Sequence, residues 1–450
     1  MEKTICAIST PIGVGGISII RLSGKESLNI LSKILEKPIL NIEPRKMYLK
    51  TIVCKNIKDK AMVVYFKAPY SFTGEDLVEI QCHGGVYLTN EILKTLLSNG
   101  ATLAENGEFT KRAFLNGKIT LDKAEGVIDM INAESEEQLK AGFELMSGSL
   151  TKKIDELQNT LTDILAETNV SIDYPEHDID YTTIEKFGEK INDLIQEIFT
   201  IKNTSDTGMI IKNGINIALL GSPNVGKSSL MNALLGFNRA IVTNIAGTTR
   251  DTLTESYVFN GVKVNLIDTA GIRESENEVE KIGITLAKEK LKTADLILFI
   301  LESTRKISSE EIELFNSITT KKIIVVNKID EKDNAFNLND LKDTKNTKFL
   351  EISALKKTNI EALKQLIYDE IINKNIIGNS LIITNIRHKN ALQNAENALK
   401  DAKNTLDSTK NLELFAIDLI NAYNYLGEIT GNSSNENIID RIFSKFCLGK

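Results

Sequence analysis

The chain has 450 residues, 42% of them hydrophobic, with 54 Lys and Arg against 61 Asp and Glu for a net charge of −7. That length calls for two or three domains with sizeable cores, and a globular composition with six prolines and no apolar run approaching a membrane span reads as a soluble protein. The acidic balance excludes a global electrostatic pull on nucleic acid, so any RNA contact must be local or shared with a partner.

Met1-Glu2-Lys3-Thr4 opens without an apolar signal core. To about residue 118, short apolar runs mix with glycine turns, the texture of an α/β domain. Residues 17–22 and 61–66 are rich in β-branched and aromatic side chains, and 77–81 alternates faces, so all three are predicted strands. Residues 91–97 are a predicted helix after the Gly84-Gly85 turn. From Leu121 the period changes: Leu121, Ala124, Val127, Ile128 and Ile131 recur at helical spacing, and polar helical sequence runs to about Gly208. Strand and helix signals alternate again over 213–374, including apolar strands at 295–301 and 323–326. After Asn379 the sequence is helical once more, with Leu412, Phe415, Ala416, Leu419 and Ile420 on one stripe. The simplest architecture is α/β and all-α multidomain: an α/β domain over 1–118, a helical domain split between 119–212 and 375–450, and a nucleotide-binding domain over 213–374 inserted within it. Cys6, Cys54, Cys82 and Cys447 lie far apart with no C-x-x-C pair, and three histidines cannot complete a metal cluster with them, which fits a reducing cytoplasm.

The strongest local signal is Gly221-Ser222-Pro223-Asn224-Val225-Gly226-Lys227-Ser228, which meets every fixed position of the phosphate-loop pattern G-x-x-x-x-G-K-[ST]. A strand signal at 215–220 leads in, and a helix signal beginning at Ser229 leads out. Glycines let successive N–H groups turn toward phosphate oxygens, the helix N-terminus adds positive partial charge, Lys227 reaches the outer phosphates, and the Ser228 hydroxyl ligates Mg²⁺. The ordinary alternative is a Gly-rich turn ahead of a helix, which the strand–loop–helix order disfavours.

Asn327-Lys328-Ile329-Asp330 follows an apolar strand, where a base-reading loop belongs. The Asp330 carboxylate accepts two hydrogen bonds from guanine N1–H and its 2-amino group, whereas adenine offers no such pair of donors, so GTP is expected over ATP. Asp268-Thr269-Ala270-Gly271 follows another strand signal, with Asp268 placed to hold Mg²⁺ through water and the Gly271 N–H near the γ-phosphate. Gly247-Thr248-Thr249-Arg250-Asp251 offers a second Mg²⁺ hydroxyl, most simply Thr249, and Ser353-Ala354-Leu355 can support the guanine from its other side. Ile272 stands where Ras-like GTPases carry a water-orienting glutamine, so another group must position water, with candidates in the acidic stretch 274–280. Arg250 and Arg273 are either transition-state cations or mobile surface arginines.

Together with Asn224 and Gly247-Thr248-Thr249-Arg250-Asp251, several further motifs resemble the MnmE (TrmE) family of tRNA uridine modification GTPases along essentially the whole chain. They are Gly15-Gly16-Ile17 with Arg21-Leu22-Ser23-Gly24, Ser71-Phe72-Thr73-Gly74-Glu75-Asp76, His83-Gly84-Gly85, Gly107-Glu108-Phe109 with Arg112-Ala113-Phe114-Leu115-Asn116, Gly427-Glu428-Ile429-Thr430-Gly431 and the terminal Phe446-Cys447-Leu448-Gly449-Lys450. The resemblance implies an N-terminal folate-binding and dimerising domain, a split helical domain and an inserted P-loop GTPase domain with a mostly parallel sheet. It implies nucleotide contacts from Asn224 through Ser229, at Thr243, Asn244, Ile245, Ala246, Gly247, Thr248 and Thr249, and at the Asp268, Asn327 and Ser353 motifs. It further implies a K⁺ ion held by Asn224, Thr243, Ile245 and Thr248, and a water-activating Glu280 that fills the gap left by Ile272. A site for 5-formyl- or 5,10-methylene-tetrahydrofolate would lie near Arg21, Glu79, Lys118 and Lys450, residues that by themselves read as surface charges. Cys82 stands where many relatives are expected to carry glycine, and Cys447 reads either as a nucleophile or as a buried small hydrophobe. The implied function is K⁺-dependent hydrolysis of GTP by a homodimer. It would act with an FAD-dependent partner, MnmG (GidA), to build an aminomethyl-type substituent on the wobble uridine of tRNA. The competing readings are a regulatory GTPase switch in ribosome assembly, which should carry a basic RNA-binding module, and a folate-binding scaffold whose GTPase domain only sets dimer geometry.

Overall fold

The structure is a computed structural model that describes residues 3–38, 41–173, 181–236, 254–268, 294–334, 336–341, 347–372 and 381–450. It divides into two compact units, one of Met1–Ile128, Leu145–Leu194 and Asn394–Lys450, the other of Asp129–Glu144 and Ile195–Gln393. No helix among the described residues is long and apolar enough to cross a membrane.

The first unit is built on six strands: β1 (Ile5–Ile8), β2 (Ile17–Ser23), β3 (Met47–Cys54), β4 (Ile57–Phe66), β5 (Leu77–His83) and β6 (Thr102–Leu103). They lie in the order β3-β4-β5-β2-β1-β6, antiparallel throughout except for the parallel β1–β6 pair. Because successive side chains of a strand face opposite ways, β1 sends Cys6 and Ile8 into one core and Ile5 and Ala7 into another with Phe109. The first of these cores is closed by helices Ser27–Ile34 and Val86–Ser98 through Ile30, Leu31, Ile92 and Leu96. The latter helix begins at Val86, directly after the glycine turn and five residues ahead of the expected start. Cys82 is buried in the same core, where burial pushes its thiol up to about 11, so a small apolar side chain takes the position expected for glycine.

Helical segments from before and after the inserted domain pack on one another within this unit. Helix Ser149–Asp173 lies along helix Leu412–Thr430, with Gln158 Nε2 donating to the Tyr423 carbonyl at 3.0 Å. Phe187 stacks on Phe415 with ring centroids 5.9 Å apart. The Leu412–Thr430 helix is opened by Asn411, whose side chain accepts from Leu414 N, and closed by Gly431 at φ +97°, where a Cβ would come within 2.6 Å of Phe114. Leu412, Phe415, Ala416 and Leu419 are buried on its inner arc, continued by Ala422 and Leu426. Ile420 departs from the expected stripe and is exposed, because the arc turns past it at 3.6 residues per turn; Ile131, the last residue of its helix, is exposed as well.

The second unit carries β7 (Ile215–Leu220), β8 (Thr254–Phe259), β9 (Val262–Asp268), β10 (Leu296–Glu302), β11 (Lys322–Asn327) and β12 (Lys348–Glu351), in the order β12-β11-β10-β7-β9-β8. All neighbours are parallel except the β8–β9 hairpin. Strands β7, β10 and β11 read as nearly unbroken apolar runs because both faces are covered. Helices Lys227–Leu235 and Ile360–Ile371 close one face, and helix Ser309–Ser317 closes the other through a Phe299–Phe315 contact at 5.3 Å.

Removing the stacked ring at the centre of the helical packing should be costly. Phe415→Ala is expected to lose about 3–5 kcal/mol of stability, read from denaturant unfolding followed by far-UV circular dichroism; a loss under about 1 kcal/mol would show that the Phe187 stack does not hold these helices together.

Candidate functional site

The phosphate loop leaves the C-terminal end of β7 between β9 and β10. A Cβ at Gly221 would lie 2.4 Å from the Ile300 carbonyl, so only glycine lets the loop depart this close to β10. Val225 is fully buried and anchors the loop, while Asn224 takes φ +64° and Gly226 φ +93°. Helix Lys227–Leu235 starts at Gly226 with no side-chain cap, which leaves its first N–H groups for an anion. Lys227 is buried, and its Nζ donates to the carbonyls of Gly221 at 2.9 Å and Ser222 at 2.8 Å, holding the ammonium across the loop. Asn224 and Ser228 lie at the loop's open side: Asn224 and Ser229 are exposed, and Ser228 follows the buried Lys227 on the first turn of the helix.

The side expected to read the base is held together by Asn327, the last residue of β11 and only 2% exposed. Its Nδ2 donates to the Val225 carbonyl at 2.9 Å, and its Oδ1 accepts from Ala354 N at 3.0 Å. The same amide occupies the space a Cβ at Gly226 would need, 2.3 Å away. One side chain therefore joins the phosphate loop, the Asn327 motif and the Ser353 motif. Lys328 follows at φ +64°, then a tight turn Ile329–Glu331 whose Ile329 N–H donates to the Ile352 carbonyl at 3.2 Å. Asp330 is half-buried; a hydrogen bond with Ser353 and the Lys356 ammonium 3.7 Å away hold its carboxyl below the usual carboxylate range, against the opposing effect of burial. Ser353 and Ala354 are buried, whereas Leu355 is 79% exposed.

Asp268 ends β9 opposite Leu219 of β7, which brings its backbone beside the start of the phosphate loop. Thr243, Asn244, Ile245, Ala246, Gly247, Thr248, Thr249 and Arg250 lie outside the described residues, as do Thr269, Ala270, Gly271, Ile272, Arg273 and Glu280.

In the other unit, Arg21 and Glu79 face each other across the β2–β5 pair, with Nε and Oε1 2.8 Å apart. The terminal segment reaches the same region. Ser9 Oγ donates to the Gly449 carbonyl at 3.0 Å, Gly449 adopts φ +85° against Ile8, and burial followed by the Arg21 charge pushes the Lys450 ammonium below its ordinary value. Lys118 makes a different contact, donating to the Pro69 carbonyl at 2.9 Å. Cys447 is exposed, unlike its buried neighbour Phe446, so the buried alternative for this thiol does not hold.

Sequence reasoning missed a side-chain network beside the nucleotide loops. Lys328 pairs with Glu302, and Arg305 with both Glu302 and Glu311. The available signal was Ser308-x-x-Glu311, a capping-box spacing that the structure realises at the start of helix Ser309–Ser317.

A family model described as the MnmE helical domain matches residues 121–447, and one described as the GTP-binding protein TrmE N-terminus matches residues 4–118. The protein from Clostridioides difficile (strain 630) named tRNA modification GTPase MnmE is 42% identical, with 100% of both chains covered. The chain belongs to the MnmE family. Proteins of the same name from Lactobacillus gasseri and Caldicellulosiruptor saccharolyticus are 41% and 42% identical over 99% of this chain and 98% and 99% of theirs. Among solved structures, a variant of Aquifex aeolicus Era bound to GDP·AlF4⁻ is 28% identical over 41% of this chain and 66% of that one; its TM-score of 0.28 is too low to bear on the fold. As a family of tRNA modification GTPases, MnmE proteins need a GTP site, and the loops joined by Asn327 have the geometry of one.

Two consequences follow from the Asn327 and Asp330 geometry. Asn327→Ala orphans the Val225 carbonyl and the Ala354 N–H together, and GTP affinity should fall by roughly 100-fold in calorimetric titration; a change under about threefold would show that the loops hold without it. Ser353→Ala removes the hydrogen bond that holds the Asp330 pKa down, so that pKa rises and GTP binding should be lost at a higher pH than in the unaltered chain. An acid limb of the affinity profile that does not move would show that Ser353 has no hold on Asp330.

Proposed function

We propose that this chain is a K⁺-assisted GTPase that hydrolyses GTP to GDP and phosphate and couples that cycle to modification of the wobble uridine of tRNA. The observation that carries the reading is Asn327, which ties a complete phosphate loop to a loop presenting a guanine-reading carboxylate. Full-length similarity to proteins named tRNA modification GTPase MnmE supports the tRNA step.

In this reading the N–H groups at the start of helix Lys227–Leu235 receive the β-phosphate, and Lys227 exchanges the Gly221 and Ser222 carbonyls for phosphate oxygens. Ser228, on the first turn of that helix, and Thr249 suit Mg²⁺, with Asp268 acting through water. Asn224 suits K⁺ because its left-handed backbone and exposure turn a carboxamide outward from the loop, with Thr243, Ile245 and Thr248 completing the set. When bound, the two cations offset charge that gathers on phosphoryl oxygens in the transition state. Asp330 selects guanine, Ser353, Ala354 and Leu355 back the base, and Glu280 orients the attacking water.

With domain limits of 1–118, 119–212, 213–374 and 375–450, this GTPase sits inside a split helical domain. Arg21, Glu79 and Lys450, drawn together in one unit, with Lys118 from the neighbouring loop, suit a tetrahydrofolate whose one-carbon unit enters the product. The exposed Ile12, Val14 and Ile17 of the same domain favour a homodimer. The remaining redox step falls to the FAD-dependent MnmG, in a heterotetramer or larger complex. GTP and tRNA as substrates fit a cytoplasmic protein.

Lys227→Ala should slow hydrolysis at least about 100-fold and abolish wobble-uridine modification when it replaces the unaltered chain. Multiple-turnover rates in K⁺ should exceed those in Na⁺. Full tRNA modification supported by Lys227→Ala would refute the coupling, and equal rates in the two cations would refute the K⁺ site.

A further inference from the structure

One short segment grips two strands of the nucleotide-binding domain at the ends away from the nucleotide loops. It runs from Asp129 to Gln138, joins helix Leu121–Ile131 to helix Glu136–Ser147, and belongs to the second compact unit. Lys212, which leads into β7, is held at both of its ends: its ammonium pairs with the Asp129 carboxylate at 2.8 Å, and its carbonyl accepts from Gln138 Nε2 at 2.9 Å. Gln138 is itself oriented by Glu134, whose N–H donates to its Oε1 at 2.7 Å. The start of β9 is held by the same segment. Lys263 pairs with Glu134, and the Glu137 N–H donates to the Gly261 carbonyl at 3.2 Å.

Gly261 is at the tip of the β8–β9 hairpin. Phe259 pairs with Val262, so Asn260 and Gly261 alone make the turn, with φ at +47° and +77°, the left-handed pair that matches the twist of a hairpin. A Cβ at Gly261 would lie 3.0 Å from Glu137 Cγ, so the tip sits closely on the segment. A Cβ at Gly214 would lie 3.0 Å from the Lys263 carbonyl, which sets the starts of β7 and β9 equally close. From there the two strands run side by side, Ile215 against Val264 through Leu219 against Asp268. The phosphate loop follows β7, and Asp268 ends β9 about 17 Å from Lys263 at the rise of a strand. In the chain, Gly247-Thr248-Thr249 precedes β8 and Thr269-Ala270-Gly271 follows β9, so the hairpin is the covalent link between the two loops expected to meet the γ-phosphate.

We propose that Asp129, Glu134, Glu137 and Gln138 are positioning residues that couple GTP hydrolysis to tRNA modification, by carrying movement of the β8–β9 hairpin relative to β7 out of the nucleotide site. The inference rests on the coupled-GTPase reading above. Ladder hydrogen bonds make the hairpin stiff along its length, so a shift imposed at its loop end by the γ-phosphate reaches its tip. Contacts at the tip that differ between the GTP and GDP states then bias the equilibrium between those states, and the coupling acts in both directions. Half-exposed ion pairs such as Glu134–Lys263 add little to stability, so the grip can be loosened with the nucleotide-binding fold intact.

The test uses the full chain, each variant replacing the unaltered one in cells for wobble-uridine modification and purified for GTP hydrolysis. Glu134→Lys sets two cations against each other, and Gln138→Ala leaves the Lys212 carbonyl without its donor. Each should keep multiple-turnover hydrolysis within about twofold while modification falls about tenfold, a split that loss of folded protein would not produce. Adding Lys263→Glu to Glu134→Lys restores the pair with its charges exchanged and should recover most of the modification. Should Glu134→Lys fail to fold, Glu134→Gln, which removes the charge at constant shape, is read for the same split. Modification retained in folded variants, hydrolysis that falls in step with it, or a loss that the exchanged pair does not restore overturns the grip. Lys227→Ala is the control: if it supports full modification, hydrolysis is not coupled to modification at all, and the earlier reading fails rather than the grip alone.

Discussion

The carboxamide of Asn327 is the constraint from which the nucleotide site follows. It is buried, so both its donor and its acceptor must be matched or cost the full desolvation of an amide. Only a carboxamide presents the two at once in this space. An aspartate would set an acceptor against the Val225 carbonyl, and a leucine would leave both that carbonyl and the Ala354 N–H unpaired. The requirement propagates outward. Position 226 must lack a Cβ to admit the amide, β11 must end where it does to deliver it, and the Ser353 loop must turn its N–H inward. Two motifs far apart in sequence are thereby one structural object.

How much of this was legible in the sequence depends on the range over which each feature is determined. The phosphate loop was legible because its demands are local: glycine where the backbone crowds Ile300 or the Asn327 amide, lysine on the first turn of the helix. The central strands were legible from their apolar runs, with ends displaced by a residue or two where polar side chains such as Glu302 and Asn327 complete the pairing. The helix that starts at Val86 runs five residues ahead of its sequence signal, since Val86 and Tyr87 favour strands by propensity and only their place after the glycine turn puts them in a helix. Strand order was not legible, because insertion of β2 between β5 and β1 rests on contacts across the sheet rather than on any local pattern.

Long-range pairing also decided which charges matter. Arg21 and Glu79 are fifty-eight residues apart, and each alone has the look of a surface charge; the β2–β5 register sets them face to face. The Glu302–Arg305–Glu311 triad shows a half-way case. Its two carboxylates and one guanidinium occupy a short stretch in which the capping-box spacing reveals only the role of Glu311 at the helix start. What sets the stretch beside Lys328 is that β10 pairs with β11, so Glu302 at its end meets the residue that follows Asn327.

The terminal segment extends the same logic to the other unit. Lysine ammoniums ordinarily stay charged well above neutral pH, but at Lys450 burial and the nearby Arg21 both act against the charged form. Glu79 is already engaged with Arg21 through the strand register, so it neutralises one cation of the two. A second anion arriving here would relieve the ammonium and raise its pKa, and the binding free energy would contain that relief through linkage. Any carboxylate has the charge to do this. A neutral ligand would gain nothing from Lys450, so the docked tail favours an acidic ligand over a neutral one.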